Sequence, residues 1–560
     1  MKKQKKGIRK SFIIVLTIWL IITAIAWYMA KPALNLASPG FWAFFSIALG
    51  VLSLVLLIEA DVFESSYYRS RDITKAHIII WIFTGIVLVF SILFGVSSDP
   101  LFQVETFKSI ADVEEGHFEE EFQDISNDSK YILLDADTAR RLGDRVLGSI
   151  PNATWYEVSQ DYSLIVYNGK QYRFSPLQYG GFFKYNRAKS TGIPGYVLVD
   201  SESLEAKFVE TSEPIKYSPS AFFGNDLKRH IRSQYPSLVF DAFSFEIDES
   251  GKPYWVASIF TPHAGLWGAC SVESFVLVDA CTGEMELYSI NEKPEWIDHV
   301  VSLKHLMKMI YWKYEYINGV INASKTGVVR TTYQYADQIR KQGSAEEPYF
   351  YGYSSFLNSK GEVVFFTGVT PANRTESNVG FLCINPSTGK YVFYNTAGAE
   401  ESSAQGVSEG LIQNMGYQAT YPFMINVNGV PTYLMNMTDK SGLIQRYALV
   451  NYSDYKQAYV GNTFADALEG YMDLTGVAGR HVRFEFDLEN VSTIKGEILD
   501  IRETVIDGTT HYYYLIGDNV YRASIKVNEN QPFFKVGDIV EVDFVPNEIT
   551  NINAIVGIKK

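Results

Sequence analysis

The sequence predicts an α+β protein in tandem: three transmembrane helices, then helix-plus-antiparallel-sheet units, then a small C-terminal β-barrel. Three observations predict it. Apolar runs without a charged residue open the chain at 11–30, 41–58 and 78–95. A hairpin signature returns four times, as YVLVDSESLE from Tyr196, FVLVDACTGE from Phe275, FLCINPSTGK from Phe381 and YALVNYSDYK from Tyr447. From about Thr475 the pattern changes to short alternating strands separated by turn residues.

Each opening run approaches the roughly 20 residues that cross a bilayer as helix. The first exceeds the apolar core of a cleaved signal peptide, and no clean small-x-small site follows it closely. Orientation follows from the flanking bases. Lys2, Lys3, Lys5, Lys6, Arg9 and Lys10 precede the first run, Lys31 alone lies between the first and second, and Arg69, Arg71 and Lys75 lie between the second and third. The N-terminus is therefore expected in the cytoplasm of a multi-pass plasma-membrane protein, with everything after about Ser97 extracytoplasmic. Trp27, Tyr28, Phe41, Trp42 and Trp81 are placed as interfacial anchors. With no ionisable residue inside a run, a charged substrate path has no obvious parts.

At 560 residues, several domains are expected beyond the membrane. Aromatics make up 15% of the chain, with 37 Tyr and 36 Phe, a load that favours sheets. The formal charge of -14 repels phosphate polymers, and no basic patch is evident outside the extreme N-terminus. Cys270 and Cys281 fall at opposite ends of one predicted strand, beyond the ~7 Å reach of a disulfide, so unpaired cysteines are expected.

The hairpin signature explains itself physically. An Asp or Asn bonds backbone NH groups two residues on, while Gly283 and Gly389 take the left-handed conformation that closes the turn. Leu204 and Tyr455 stand there in the other two copies, so their turns need not match. The resulting division is a membrane anchor at 1–96, an acidic stalk or helix at 97–128, and α+β units at 129–210, 211–293, 294–400 and 401–474. A terminal barrel occupies 475–560. The first unit opens with a helix capped by Asp135 or Asp137, followed by strands that include GGFFKYN. The second reads as a helix ended by Pro236 and a sheet burying one face. PEWIDHVVSLKHLMKMIYWKYEY then continues as one long helix, on which His299, His305 and Trp312 read as a buried or snorkelling face. Stacking lets several sheet faces bury one another.

Helix, strand, turn, strand, loop and VLVDACTGEMELYSI together resemble the PepSY domain, a small extracytoplasmic module. The likeness covers about 75 residues here and extends more weakly to the adjoining units. The whole chain resembles a group of three-span envelope proteins of Gram-positive bacteria. These likenesses imply an envelope location and a part in binding or restraining other proteins, peptidases among them. In the last region, Lys535 to Val540 is similar to the start of the later strands of OB-like barrels. Such barrels often bind single-stranded nucleic acid through basic, aromatic grooves. Here His511, Tyr512, Tyr513, Tyr514 and Tyr521 sit among a surplus of acids, and nucleic acid is not expected as a partner.

Motifs for chemistry are sparse. HExxH is absent, the segment SGLIQ at 441–445 lacks the GxSxG elbow, and STGK at 387–390 lacks the preceding glycine of a phosphate loop. Asp279 with Thr282 and Gly283 has the residues of an aspartic-protease turn, but its equivalents are Asp200, Asn385 and Asn451, and amide in place of acid fits a turn. No catalytic, cofactor or metal residue is assigned. The binding-loop candidates are His263 and Trp267, near Cys270, with Asn373 and Arg374 in the equivalent third-unit loop. The expected function is a membrane-anchored scaffold or binding protein of the cell envelope, whose partners are the bilayer and other envelope proteins. The rivals are an envelope hydrolase or peptidase regulator with a cleft between repeats, and a subunit of a secretion or conjugation assembly.

Overall fold

The computed structural model describes residues 10–59, 75–122, 124–125, 134–150, 152–159, 162–322, 330–331, 353–370, 377–475, 492–506, 509–517, 519–528, 530–545 and 552–560. It falls into two compact units, one ending at Leu474 and the other holding the rest of the C-terminal region.

The three apolar runs form α1 (Lys10–Ala30), α2 (Pro39–Glu59) and α3 (Lys75–Ser97), each long and apolar enough to cross a membrane. Most of their large apolar side chains face outward, as helices surrounded by lipid require. Ser53 and Thr84 join α2 to α3 through a 2.7 Å hydrogen bond, and His77 meets Glu59 at 2.9 Å where the two helices approach the 60–74 connection.

The segment after α3, expected as an acidic stalk or helix, holds two short helices with a strand between them. Asp99 caps α4 (Pro100–Ser109), β1 (Val113–Glu115) follows, and one turn, α5 (Phe118–Glu121), stacks Phe118 on Phe122 at 4.7 Å. β1 will pair with a strand of the third unit. Its acids face solvent, but Phe118 is buried against Phe381 of that unit. Burial of Phe118, and the packing of half-buried Phe122 on Phe356, Phe381 and Tyr394, is the reason the segment lies on a sheet.

In the first unit, α6 (Ala136–Val146) is capped by Asp135, whose Oδ1 accepts from Thr138 N at 2.9 Å. It precedes β2 (Tyr156–Val158), β3 (Ser163–Tyr167) and β4 (Lys170–Tyr179). GGFFKYN forms a helix, α7 (Phe182–Ala188), where a strand was expected. Gly181, at φ 104°, turns the chain out of β4, and Tyr185 alone of its aromatics is fully buried. Then come β5 (Ile193–Asp200) and β6 (Ala206–Ile215), completing an antiparallel sheet. The second unit begins with α8 (Leu227–Gln234), shorter than expected because Asp226 caps it after the Phe222–Asn225 turn. Its sheet is the meander β7 (Phe240–Ile247), β8 (Pro253–Pro262), β9 (Cys270–Asp279) and β10 (Met285–Ser289).

This second sheet buries both faces, not the single face expected. Along β9, Val276 and Val278 enter a core shared with the first unit, while Phe275 and Leu277 enter another shared with the third. Period-two alternation sends neighbours to opposite faces, so an unbroken apolar run is what a doubly covered strand needs. Phe245 stacks on Phe174 of the first sheet at 5.4 Å and packs on Trp255 at 4.9 Å.

The predicted long helix is confined to α9 (Leu303–Glu315), with Ser302 as its N-cap. Residues 294–302 instead cross between sheets. Val300 N and Val301 N donate to Pro386 O at 3.1 and 2.9 Å, and Ser258 Oγ donates to Val300 O. Those bonds compete with a helical ladder and win because both sheets supply them.

The third unit contains β11 (Arg330–Thr331), β12 (Ser354–Leu357), β13 (Val363–Thr370), β14 (Ser377–Asn378), β15 (Gly380–Asn385) and β16 (Lys390–Tyr394). β1 pairs in parallel with the β16 edge, while β14 pairs with β17 (Gly398–Ala399). The fourth unit comprises α10 (Glu401–Leu411), β18 (Gln418–Ala419), β19 (Phe423–Val427), β20 (Val430–Thr438), β21 (Ile444–Asn451), β22 (Ala458–Gly461) and α11 (Phe464–Thr475). Aromatic contacts join it to the third unit, with Phe366 6.2 Å from Tyr433 and Phe381 5.8 Å from Tyr452.

The C-terminal region is a closed antiparallel-rich barrel. β23 (Ser492–Ile506) pairs with β24 (Thr509–Ile516) through its second half and with β26 (Ile539–Val545) through its first. β25 (Asn519–Ser524) and β27 (Ile552–Lys559) close the ring by a parallel pairing. Tyr512, Tyr514 and Tyr521 are buried in its core. The stretch HVRFEFDL at 481–488, the first of the short strands expected after Thr475, lies outside the described residues.

Candidate functional site

The repeated Asp or Asn is a turn residue in all four places. Asp200 Oδ1 accepts from Glu202 N and Ser203 N, Asp279 Oδ1 from Cys281 N and Thr282 N, Asn385 from Ser387 N and Thr388 N, and Asn451 from Ser453 N and Asp454 N. Leu204, Gly283 and Gly389 all occupy the left-handed region, with φ of 57°, 83° and 72°. Tyr455 does not need to, because the fourth turn is one residue longer. Asn451 N donates to Gln457 O, whereas Asp279 N donates to Glu284 O. Asp279 is buried and its other oxygen lies 2.6 Å from Lys252 Nζ. Burial resists its charge, but Lys252 and the two NH groups more than offset this and lower its pKa. A carboxylate held ionised by these bonds closes a hairpin; it is not a proton-sharing acid.

The predicted binding loop lies against the membrane anchor. His263 N and Ala264 N both donate to Ala269 O, folding 263–270 into a tight knuckle. Leu266 N and Trp267 N donate to Ser98 Oγ at 3.1 and 3.0 Å, just past the end of α3. Trp267 Nε1 donates to Leu36 O in the α1–α2 connection, and its ring meets Phe94 edge-on at 6.0 Å. Gly268 permits the approach, since a Cβ there would sit 2.6 Å from Ser98 O. Trp267 is thus committed to the α3 joint. His263 remains at the surface, 2.7 Å from Ser271 Oγ and 3.5 Å from Glu273. Asn373 and Arg374 lie outside the described residues.

The same joint is completed on α8. Lys31 pairs with Asp226, Leu34 N donates to Pro236 O, and Asn35 Nδ2 donates to Ser237 O, both at 2.8 Å. Arg229 stacks its guanidinium 3.8 Å from the Tyr28 ring and donates to Tyr28 O.

A second constellation was not foreseen. Glu246 of β7 is 1% exposed, and its Oε1 accepts from His299 N at 3.1 Å and lies 2.9 Å from His299 Nδ1. His299 is itself 7% exposed. Asp298 accepts from Val166 N of β3 at 2.9 Å. Arg173 of β4, also buried, donates to Leu134 O and Tyr162 O. Burial first, and then repulsion from Glu246, pushes Asp298 up to about 7. Burial opposes charge on His299, but Glu246 and Asp298 outweigh it and raise its pKa. The cluster thus ties 298–299 to the first and second sheets. Acid, base and imidazole meet here, but a catalytic group must touch its substrate, and Glu246 and His299 are shielded from solvent.

His305 belongs elsewhere. Its Nε2 donates to Cys270 O at 2.9 Å, and burial lowers it to about 4. Trp312 packs edge-on against Phe107. Cys270, Cys281 and Cys383 are unpaired, with burial raising the thiol of each. Among the described residues no cluster of His, Cys, Asp and Glu is suited to hold a metal.

No known protein family matches this chain, and no curated protein matches it. A solved structure of a mutant apocarotenoid oxygenase from Synechocystis is a distant likeness, at 10% identity and TM-score 0.17. The match covers 54% of this chain and 60% of that one, less than two thirds of its length. At that score the likeness carries no argument.

Proposed function

We propose that the chain is a membrane-anchored scaffold or binding protein of the cell envelope, working through protein contacts of its stacked sheet units outside the membrane. The observation that carries this reading is the joint between anchor and sheets. Ser98, Leu36, Lys31 and Tyr28 are bonded to the second unit, so the sheets are held at a set angle to the span ends. A chain that presents surfaces benefits from such rigidity. Helix-then-meander order in the second unit is compatible with a PepSY-like module, and the five-stranded C-terminal region with an OB-like one. Extracytoplasmic placement rests on the bases at the N-terminus and between α2 and α3.

β10 and β6 end their sheets in the pairing order and offer strand edges. A photo-crosslinking residue at Leu287, exposed on β10, or at Lys207, exposed on β6, is expected to capture discrete envelope proteins in cells. Adducts no stronger than those from a position inside α2 would overturn the reading. For the alternative of a hydrolase with a cleft between repeats, Glu246 and His299 offer no accessible acid and imidazole, since both are buried.

A further inference from the structure

Four phenylalanines gather at the surface of the first and second units. Phe182 lies 5.6 Å from Phe183, 5.3 Å from Phe222 and 6.0 Å from Phe223. Phe183 is 82% exposed, Phe223 50% and Phe182 41%. A contiguous exposed aromatic patch has a cost in water that a folded protein rarely retains without an occupant. Its position identifies one. Arg229 Nη1 donates to Phe223 O at 2.6 Å, while Nη2 of the same guanidinium donates to Tyr28 O at 3.0 Å in the last turn of α1. Tyr185 Oη donates to Phe222 O, and its pKa is raised by burial and then by the neighbouring Tyr28. The patch is therefore built directly onto the end of a helix whose adjacent Met29 and Ile25 face outward.

Charge points the same way. The chain carries -14, yet 181–193 contains Arg187, Lys189 and Lys184, the last paired with Glu157 at 3.0 Å, and no acid. α8 adds Lys228, Arg229 and Arg232, and the nearby Asp226 is already paired with Lys31. These bases form no run in the sequence because they lie in two separated segments, which the Phe182–Phe222 contact joins. On α7, Phe183 and Arg187 are four residues apart and share a face, an apolar side chain beside a cation that can reach headgroup phosphate.

We propose that Phe182, Phe183, Phe222 and Phe223 sit in the interfacial layer of the same bilayer that α1, α2 and α3 cross, with Arg187 and Lys189 meeting anionic headgroups. Aromatic side chains favour that layer, and attraction between basic residues and anionic lipid adds to apolar burial. The proposal rests on the membrane-spanning reading of the three helices.

The test uses the full chain with C270S, reconstituted in vesicles of equimolar phosphatidylglycerol and phosphatidylcholine and spin-labelled at one of three positions. These are F183C, I47C on the outward face of α2, and S203C in the exposed β5–β6 turn. The ratio of oxygen to nickel-chelate accessibility at F183C is expected to be several times that at S203C, and to fall in phosphatidylcholine alone. A high ratio at I47C with F183C equal to S203C overturns the proposal and leaves the spans standing. Low ratios at all three overturn both. Spin–spin broadening at F183C that disappears on dilution with unlabelled protein assigns the patch to a second copy and overturns the lipid contact. An unchanged ratio in phosphatidylcholine alone overturns the headgroup part.

Discussion

β9 in the second unit and β24 in the barrel are both internal strands with two neighbours, yet their side chains are covered differently. In β24, Tyr512, Tyr514 and Ile516 enter one core, while Tyr513 and Leu515 are half-buried on the other face. In β9, both alternating sets are buried, one against the first unit and the other against α9 and the third unit. The barrel's core is drawn wholly from 492–560, whereas the second sheet's two cores are drawn from three units. A strand whose neighbours lie within its own module can be read by period two. A strand completed by other modules cannot.

The strongest way to break this comparison is a pair of core truncations. Phe275→Ala should destabilise the region before Leu474 by about 3–5 kcal/mol and leave the barrel's unfolding unchanged, while Tyr514→Ala should do the reverse. Differential scanning calorimetry should then show two transitions that move separately. One common transition shifted by both variants would remove the distinction.

Glu246→Ala is expected to cost about 3–5 kcal/mol by leaving His299 buried without the acid's compensating charge. Glu246→Gln, which retains an oxygen acceptor, should cost less. Urea denaturation measures both, and equal losses would mean that shape, not charge, holds 298–299 in place. Gly283→Ala should cost about 1–3 kcal/mol, because residue 283 has φ 83° and an added Cβ would strike the Tyr217 ring. A change within error at that position would make the turn more pliable than the paired strands suggest.

The buried cluster also has a pH dependence of defined sign. Folded Asp298 keeps its proton to about 7, whereas the unfolded side chain loses it near 3.8. Over that interval the unfolded state binds fewer protons, so stability falls as pH rises. His299, raised above 6.5, has the same sign: its contribution is present below 6.5 and lost as pH passes the folded value. Stability of the region before Leu474 should therefore decline between about pH 4 and 7, by on the order of 3–4 kcal/mol, and Asp298→Asn should flatten the profile. Smallest is Leu204→Gly, which relieves a left-handed leucine and should stabilise the first unit by up to about 1 kcal/mol in the same melting measurement.

The sequence made the spans legible because nothing competes with a charge-free apolar run of that length. It made the hairpins legible because their bonds are local, within five residues of Asp200, Asp279 and Asn385. Glu246 was not legible. It sits between Phe245 and Ile247, where alternation assigns it to solvent, and only the third unit's coverage turns that face inward. His299 was hidden by the same rule, since PEWIDHVVSLKHL has helical composition and its real partners lie in other sheets. Trp267 was read as a binding-loop candidate, and its contact with Ser98 has no local signal in the sequence.

The parallel pairing of Val113–Glu115 with Tyr391–Phe393 has a consequence for the order of assembly. The ribosome releases the first of these about half a chain before the second, after the anchor and before any sheet is complete. That short segment must wait, tethered close to the lipid, until the third unit emerges with a vacant rim. Maturation of this rim therefore ends with a junction between early-made and late-made polypeptide, and a nascent chain stalled before Tyr391 would lack its last seam.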